Sequence, residues 1–412
     1  MIRADQTDQM ANASVPANDA RVIGLVSSAH FVSHLYGLLL PPVFALIHSD
    51  WGLSYQQLAV VLATYSVVSA AVQTPTGFLV DRLGAGPLLI AGLLLGSAAI
   101  AVAALIPSYW ALVVCFGVAG LANTVYHPAD YAILSHAVAR NRMGQAFSIH
   151  TFSGLLGFAA APPLMLISAR LWSWRGGLLV AAAIGLAVAL VLLAQRHALA
   201  AIPGAPAQRQ RIPGGEGWRL LMTPAILKNL AFFTMLALAG GGISNFSIVA
   251  LVALYDTPLW VANSALTGFL FMAALGVLAG GVIADRTRHH TRVAAIGFAL
   301  SAAVIFAIGT VPLGAMPLIA LMAIAGLLSG IIQPSRDMIV RAVTPAGSFG
   351  KVFGFVTTGF NVGGVIGPFL FAWFMDRGEP RAIFLAVVAI TLVSLLTVST
   401  TRLPAPKPAA AE

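Results

Sequence analysis

The chain has 412 residues, 59% of them hydrophobic and only 8% charged, with a formal net charge of +9 and a mean hydropathy of +0.92. Soluble domains average about 25% charged residues, so this chain lacks the polar side chains to cover a water-soluble globule. A polytopic membrane protein is left, and its basic excess has to be explained by where the Lys and Arg residues lie.

Residues 1–21 form a polar arm of mixed charge, and the first apolar run is too long for the core of a cleavable leader. Twelve apolar segments follow, near 22–47, 56–80, 87–106, 109–139, 144–168, 175–195, 225–254, 260–284, 292–311, 315–343, 350–374 and 382–400. Crossing a bilayer takes roughly 20 residues. The runs lack the alternation of barrel strands, so helices are predicted. With the first residue placed in the cytoplasm, the cytoplasmic stretches collect 18 of the 22 Lys and Arg, leaving Arg170, Arg175, Arg377 and Arg381 outside. That asymmetry predicts both termini cytoplasmic, in the inner membrane, and makes the charge a matter of topology rather than of nucleic-acid binding. Trp51, Trp110, Trp172 and Trp174 fall near outer ends and read as interfacial anchors.

Segment 1 carries His30 and His34 on one face, with His34 thirteen residues from Arg21 and sixteen from Asp50, near mid-membrane. Segment 4 contains GLANTVYHPADYAILSH, in which Asn123, His127 and Asp130 fall at i, i+4 and i+7 and predict a polar stripe. Cys115 in the same segment is alone in the chain, which excludes an internal disulfide and a thiolate metal cluster. A metal centre is not predicted, since the histidine pair needs further converging ligands and only His150, on segment 5, is a distant candidate. The stretch from Arg196 to Arg219, rich in Pro, Gly and Arg, divides the chain into bundles at 22–195 and 225–400, with 196–224 as a cytoplasmic linker and 401–412 as a tail.

The two bundles repeat. At a shift of 206, Gly120 falls on Gly326, Pro128 on Pro334, Gly157 on Gly363 and Pro162 on Pro368. At a shift of 204, GFLVDR (77–82) falls on GVIADR (281–286). A parallel six-plus-six repeat is a known transporter plan. Under the shift of 206, Ser329, Gln333 and Arg336 form the counterpart of the stripe on segment 4. Asp130 and Arg336 then make a candidate ion pair, since an intramembrane charge normally turns inward and finds a partner. Asn245 and Asn361 are further cavity candidates, and Pro128 and Pro334 predict bends.

GFLVDRLG (77–84) resembles the loop motif of the major facilitator superfamily, with Ala85 and Gly86 where basic residues usually close it. HFVSH (30–34), Gln73, YHPAD (126–130) and GQAFSIHTFSGLLGF (144–158) resemble the superfamily's fosmidomycin-resistance branch of proton-coupled exporters. That resemblance implies an all-α fold of two pseudo-symmetric six-helix bundles, alternating access, and a central cavity lined by helices 4 and 10. It also implies a cytoplasmic gate at Asp81, Arg82, Asp285 and Arg286, to which Asp130 and Arg336 are added here. The branch has Asp where this chain has His34, and Glu where it has Ala129; Asp130 stands one position later, turned ~100° around a helix. His34 and Asp130 are therefore the candidate proton carriers. His30, His34, Asn123, His127, His150, Asn245, Gln333, Arg336 and Asn361 are the candidate cavity groups.

No phosphate-cradling motif or nucleophile–base spacing is present, so neither ATP drive nor enzymatic chemistry is expected, and no cofactor. The expectation is a secondary transporter, working as a monomer in lipid, that exports a drug or metabolite against protons. One alternative is an importer of a small organic anion held by Arg336. Another is a non-transporting membrane sensor, for which the termini and linker offer little room for an output domain.

Overall fold

The computed structural model describes residues 17–139, 142–199, 216–287, 289–344 and 349–399. Most of the N-terminal arm, the linker at 200–215 and the tail from 400 lie outside the described residues. Twelve helical spans are long and apolar enough to cross a membrane. They are α1 (Asn18–Trp51), α2 (Tyr55–Leu83), α3 (Ala85–Leu105), α4 (Tyr109–Ala137), α5 (Met143–Leu171) and α6 (Trp174–Ala194) in the first half. The second half holds α7 (Pro224–Tyr255), α8 (Leu259–Arg286), α9 (His290–Thr310), α10 (Ala315–Ala342), α11 (Gly354–Asp376) and α12 (Pro380–Thr397). An even number of spans puts both described ends on one side, here called the terminal side; the opposite side is the far side.

Local chemistry sets the helix ends. Ser54 caps α2 reciprocally: its Oγ accepts from the Gln57 N–H at 3.2 Å, while Gln57 Oε1 accepts from the Ser54 N–H at 2.8 Å. Gly52 closes the last turn of α1 at φ 63°, a left-handed conformation costly for residues with a Cβ. Two spans are broken, and each break follows from proline. In α1 the helix stops at Gly37, passes through a 3₁₀ turn at Pro41–Val43 and resumes at Phe44. In α4 it stops at Asn123 and restarts at Tyr126. Pro128 has no N–H to donate to the Thr124 carbonyl four residues back. The Thr124 hydroxyl instead donates to the Leu121 carbonyl at 2.7 Å and meets Thr76 Oγ1 of α2 at 2.8 Å. α10, by contrast, runs as one uninterrupted helix through Pro334, so of the two prolines only Pro128 accompanies a break.

The repeat seen in the sequence reappears as packing. A Cβ on Gly120 would collide with the Tyr65 backbone of α2, and one on Gly326 with the Phe269 backbone of α8. Likewise Gly157 faces the Phe31 carbonyl of α1, and Gly363 faces the Thr234 carbonyl of α7. Helices in lipid approach closely only where such small residues stand. Between the halves, α2 packs against α11 and α5 against α8.

Among the described residues, four hydrogen bonds join the halves on the far side. The Asp376 carboxylate at the end of α11 accepts from the backbone N–H of Tyr55 at 2.7 Å and of Gln56 at 2.9 Å, the exposed first amides of α2. Gln56 Nε2 donates to the Phe369 carbonyl at 2.9 Å, and Asn263 Nδ2 donates to the Pro42 carbonyl at 3.4 Å.

Candidate functional site

The breaks in α4 and α1 bring five polar side chains together inside the first half. Asp130 of the lower piece of α4 is fully buried, and its Oδ2 accepts from His150 Nε2 of α5 at 2.9 Å. His30 Nδ1 of α1 lies 3.3 Å from the same oxygen. The His30 and His150 rings are stacked with centroids 3.7 Å apart. Around them stand His34, 4.5 Å from His30, and His127, 5.1 Å from His30 between ring centroids. His30, Asp130 and His150 are buried, whereas His34 and His127 are half-buried. The cluster thus has an inner carboxylate and an outer rim of two imidazoles.

Two features of α5 make room for it and hold it. Gly154 faces both α1 imidazoles: a Cβ there would sit 2.6 Å from His30 Cδ2 and 3.0 Å from His34 Nε2. One position earlier, the Ser153 hydroxyl donates to the Ser27 carbonyl of α1 at 2.7 Å. Asp130 Oδ1 and the Nδ1 atoms of His30, His34 and His150 have no hydrogen-bond partner among the described residues. The proton positions in the cluster are therefore not fixed from outside. With every imidazole neutral and Asp130 ionised, the interior carries one uncompensated negative charge; one added proton places an imidazolium beside the carboxylate and removes it. Buried charges are tolerated only when paired in this way. The donor atoms of His30, Asp130 and His150 lie within 4.8 Å of one another, a separation that a small divalent cation also spans. His150 and Asp130 also bond each other directly at 2.9 Å.

The second half contributes a cavity of about 420 Å³. Gln333 and Arg336 of α10 line it, with Ser329, Ser301, Phe298, Phe360 and, from the first half, Phe158. Phe158 also touches His34, with ring centroids 4.4 Å apart, so one side chain joins the cavity to the cluster. Arg336 Nε donates to Asp337 Oδ1 at 2.8 Å, and its guanidinium lies over the Phe233 and Phe360 rings at 4.8 and 5.5 Å.

The sequence candidates therefore separate into two groups. His30, His34, His127, Asp130 and His150 converge; Gln333 and Arg336 line the cavity of the other half. Asn245 and Asn361 are half-buried but outside the cavity wall, and Asn123 lies above the break that separates it from His127 and Asp130. Asp130 and Arg336, expected to meet when the cytoplasmic side closes, are not paired in this conformation. Asp130 turns into its own half because α1 and α5 supply imidazoles there, and Arg336 is held by Asp337 and two phenyl rings. His150, expected to be remote, is the direct partner of Asp130. The gate residues Asp81, Arg82, Asp285 and Arg286 are exposed and make no ion pair among the described residues. The far-side bonds of Asp376 leave no mark in the sequence, where a carboxylate followed by Arg377 and Gly378 looks like an ordinary loop.

Twelve spans in two packed, repeated halves around an internal cavity define a membrane transporter fold. The chain belongs to the Major Facilitator Superfamily, whose family model matches residues 26–261 and 255–412. It is similar to the fosmidomycin resistance protein of Escherichia coli K12, 22% identical over 300 residues, covering 69% of this chain and 71% of that protein. It is also similar to the multidrug resistance protein MdtH of Escherichia coli, 25% identical over 310 residues, covering 74% and 73%. Among solved structures, a bacterial homologue of the human lysosomal transporter Spinster superposes with a TM-score of 0.75 at 13% identity, over 94% of this chain and 96% of that one. The nucleoside transporter NupG gives 0.73 at 15% identity, over 92% and 98%. The chain is an integral membrane protein and a secondary transporter, not an enzyme.

Proposed function

We propose that the chain exports a small drug or metabolite in exchange for protons, as a monomer in the bacterial inner membrane with the terminal side in the cytoplasm. The orientation rests on the asymmetry of Lys and Arg, and reporters fused after Arg219 and at the C-terminus should both read cytoplasmic. Export is supported by the resistance proteins to which the chain is similar. Proton coupling is carried by one observation: a buried carboxylate surrounded by imidazoles, reached through the half-buried His34 and His127. An imidazole, with an ordinary pKa of about 6.5, gains and loses a proton within the physiological range. In this reading a proton enters at His34 or His127, rests within the His30–His150–Asp130 group and leaves on the other side after the halves have rocked. Substrate occupies the cavity beyond Phe158.

The test is flux in proteoliposomes with an imposed pH gradient. His34→Gln and Asp130→Asn should each abolish gradient-driven accumulation while substrate exchange without a gradient persists, since both keep polarity and lose titration. Undiminished gradient-driven flux in both variants refutes the proton reading. Loss of wild-type flux on adding a metal chelator would assign the cluster to a cation instead.

A further inference from the structure

Among the described residues lining the second-half cavity, Arg336 is the only charged one. Its Nε is committed to Asp337 at 2.8 Å, and it makes no other hydrogen bond among the described residues. Among the described residues the terminal nitrogens are thus free of hydrogen-bond partners, while the guanidinium lies over the Phe233 and Phe360 rings, which also pack against each other. Ring faces hold a guanidinium without using its donors. Such a fixed fork matches a carboxylate through two parallel hydrogen bonds. Asp337, whose side chain is 43% exposed, is not among the residues that line the cavity. The rest of the wall is mostly apolar, with Phe269, Phe298, Phe360 and Phe158 around a volume of about 420 Å³, within the roughly 300–1,000 Å³ of drug-sized sites.

We propose that the cavity selects an amphipathic organic monoanion: a carboxylate on the terminal nitrogens of Arg336 and a flat apolar body among the phenyl rings. A neutral analogue leaves the terminal nitrogens of Arg336 without a charged acceptor, and a cation meets a like charge there. The inference rests on reading this cavity as the substrate site.

The experiment is equilibrium binding to the purified full chain in detergent, using 2-naphthoate, 2-naphthamide and 2-naphthylmethylammonium. The carboxylate should bind at least roughly tenfold more tightly than the amide, and the ammonium compound should bind weakest. Arg336→Gln should bring the carboxylate-to-amide ratio close to one with amide binding retained, and Arg336→Lys should fall between. Equal binding of the three probes by the wild type, absent carboxylate binding, or a ratio unchanged in Arg336→Gln overturns the proposal. If Arg336→Gln does not fold, the wild-type ratio alone decides. Flux separates the two readings. Selective carboxylate binding without movement across proteoliposomes sinks transport of this class and keeps the site; transport of neutral compounds without carboxylate binding does the reverse.

Discussion

At the residue scale, the buried cluster depends on the smallest side chain beside it. Gly154 lets the His30 and His34 rings lie against α5, where a Cβ would approach His30 Nε2 to 2.7 Å. Gly154→Ala should gain about 1 kcal/mol of helix propensity but lose about 1–3 kcal/mol to overpacking. The clash wins because the rings are themselves buried or half-buried and stacked. The variant should melt earlier in detergent and couple poorly to a pH gradient, while 2-naphthoate binding in the other half is kept. Normal coupling at a normal melting temperature would show that the rings have slack. The residues of this cluster were legible in the sequence, as polar side chains in apolar runs. Their pairing was not, because periodicity places residues on faces of one helix and is silent on which neighbour each face meets.

At the scale of elements, α4 is where local chemistry shapes the site. Pro128 leaves the Thr124 carbonyl without its helical donor, and the chain turns between Asn123 and Tyr126 before continuing to Asp130. Pro128→Ala supplies the missing N–H and should draw the two pieces into one helix, rotating Asp130 relative to His150. Spin-label distances between the ends of α4 should lengthen, and gradient-driven flux should fall several-fold. An unchanged distance would mean that the contact of Thr124 with Thr76 suffices to hold the break. A proline in the sequence announced a bend here, and announced one equally at Pro334, where α10 stays continuous. Pro alone did not distinguish the two cases.

At the scale of the whole molecule, the two halves were legible because spacing repeats: the shift that aligns Gly120 with Gly326 also aligns their close approaches to neighbouring backbones. What joins the halves was not legible, since those contacts connect residues some 320 positions apart. Asp376 makes two of them, a carboxylate placed on the amides that open α2, where the helix dipole also favours negative charge. Asp376→Asn keeps the size and removes the charge. Charged hydrogen bonds contribute about 1.5–3 kcal/mol when buried and less at an exposed site such as this, so the far side should open several-fold more often. Labelling of a cysteine placed at Asn263 should accelerate accordingly. An unaltered labelling rate would leave the packing of α2 on α11 as the closing force.

The donors in that contact are main-chain amides, which Tyr55 and Gln56 present whatever their side chains. Exchanging either residue for anything except proline leaves the donor in place, whereas exchanging Asp376 changes the acceptor at once. The Asp376 contact therefore varies chiefly through position 376, whereas the Gln56–Phe369 and Asn263–Pro42 bonds on the same far side depend on the side chains of Gln56 and Asn263.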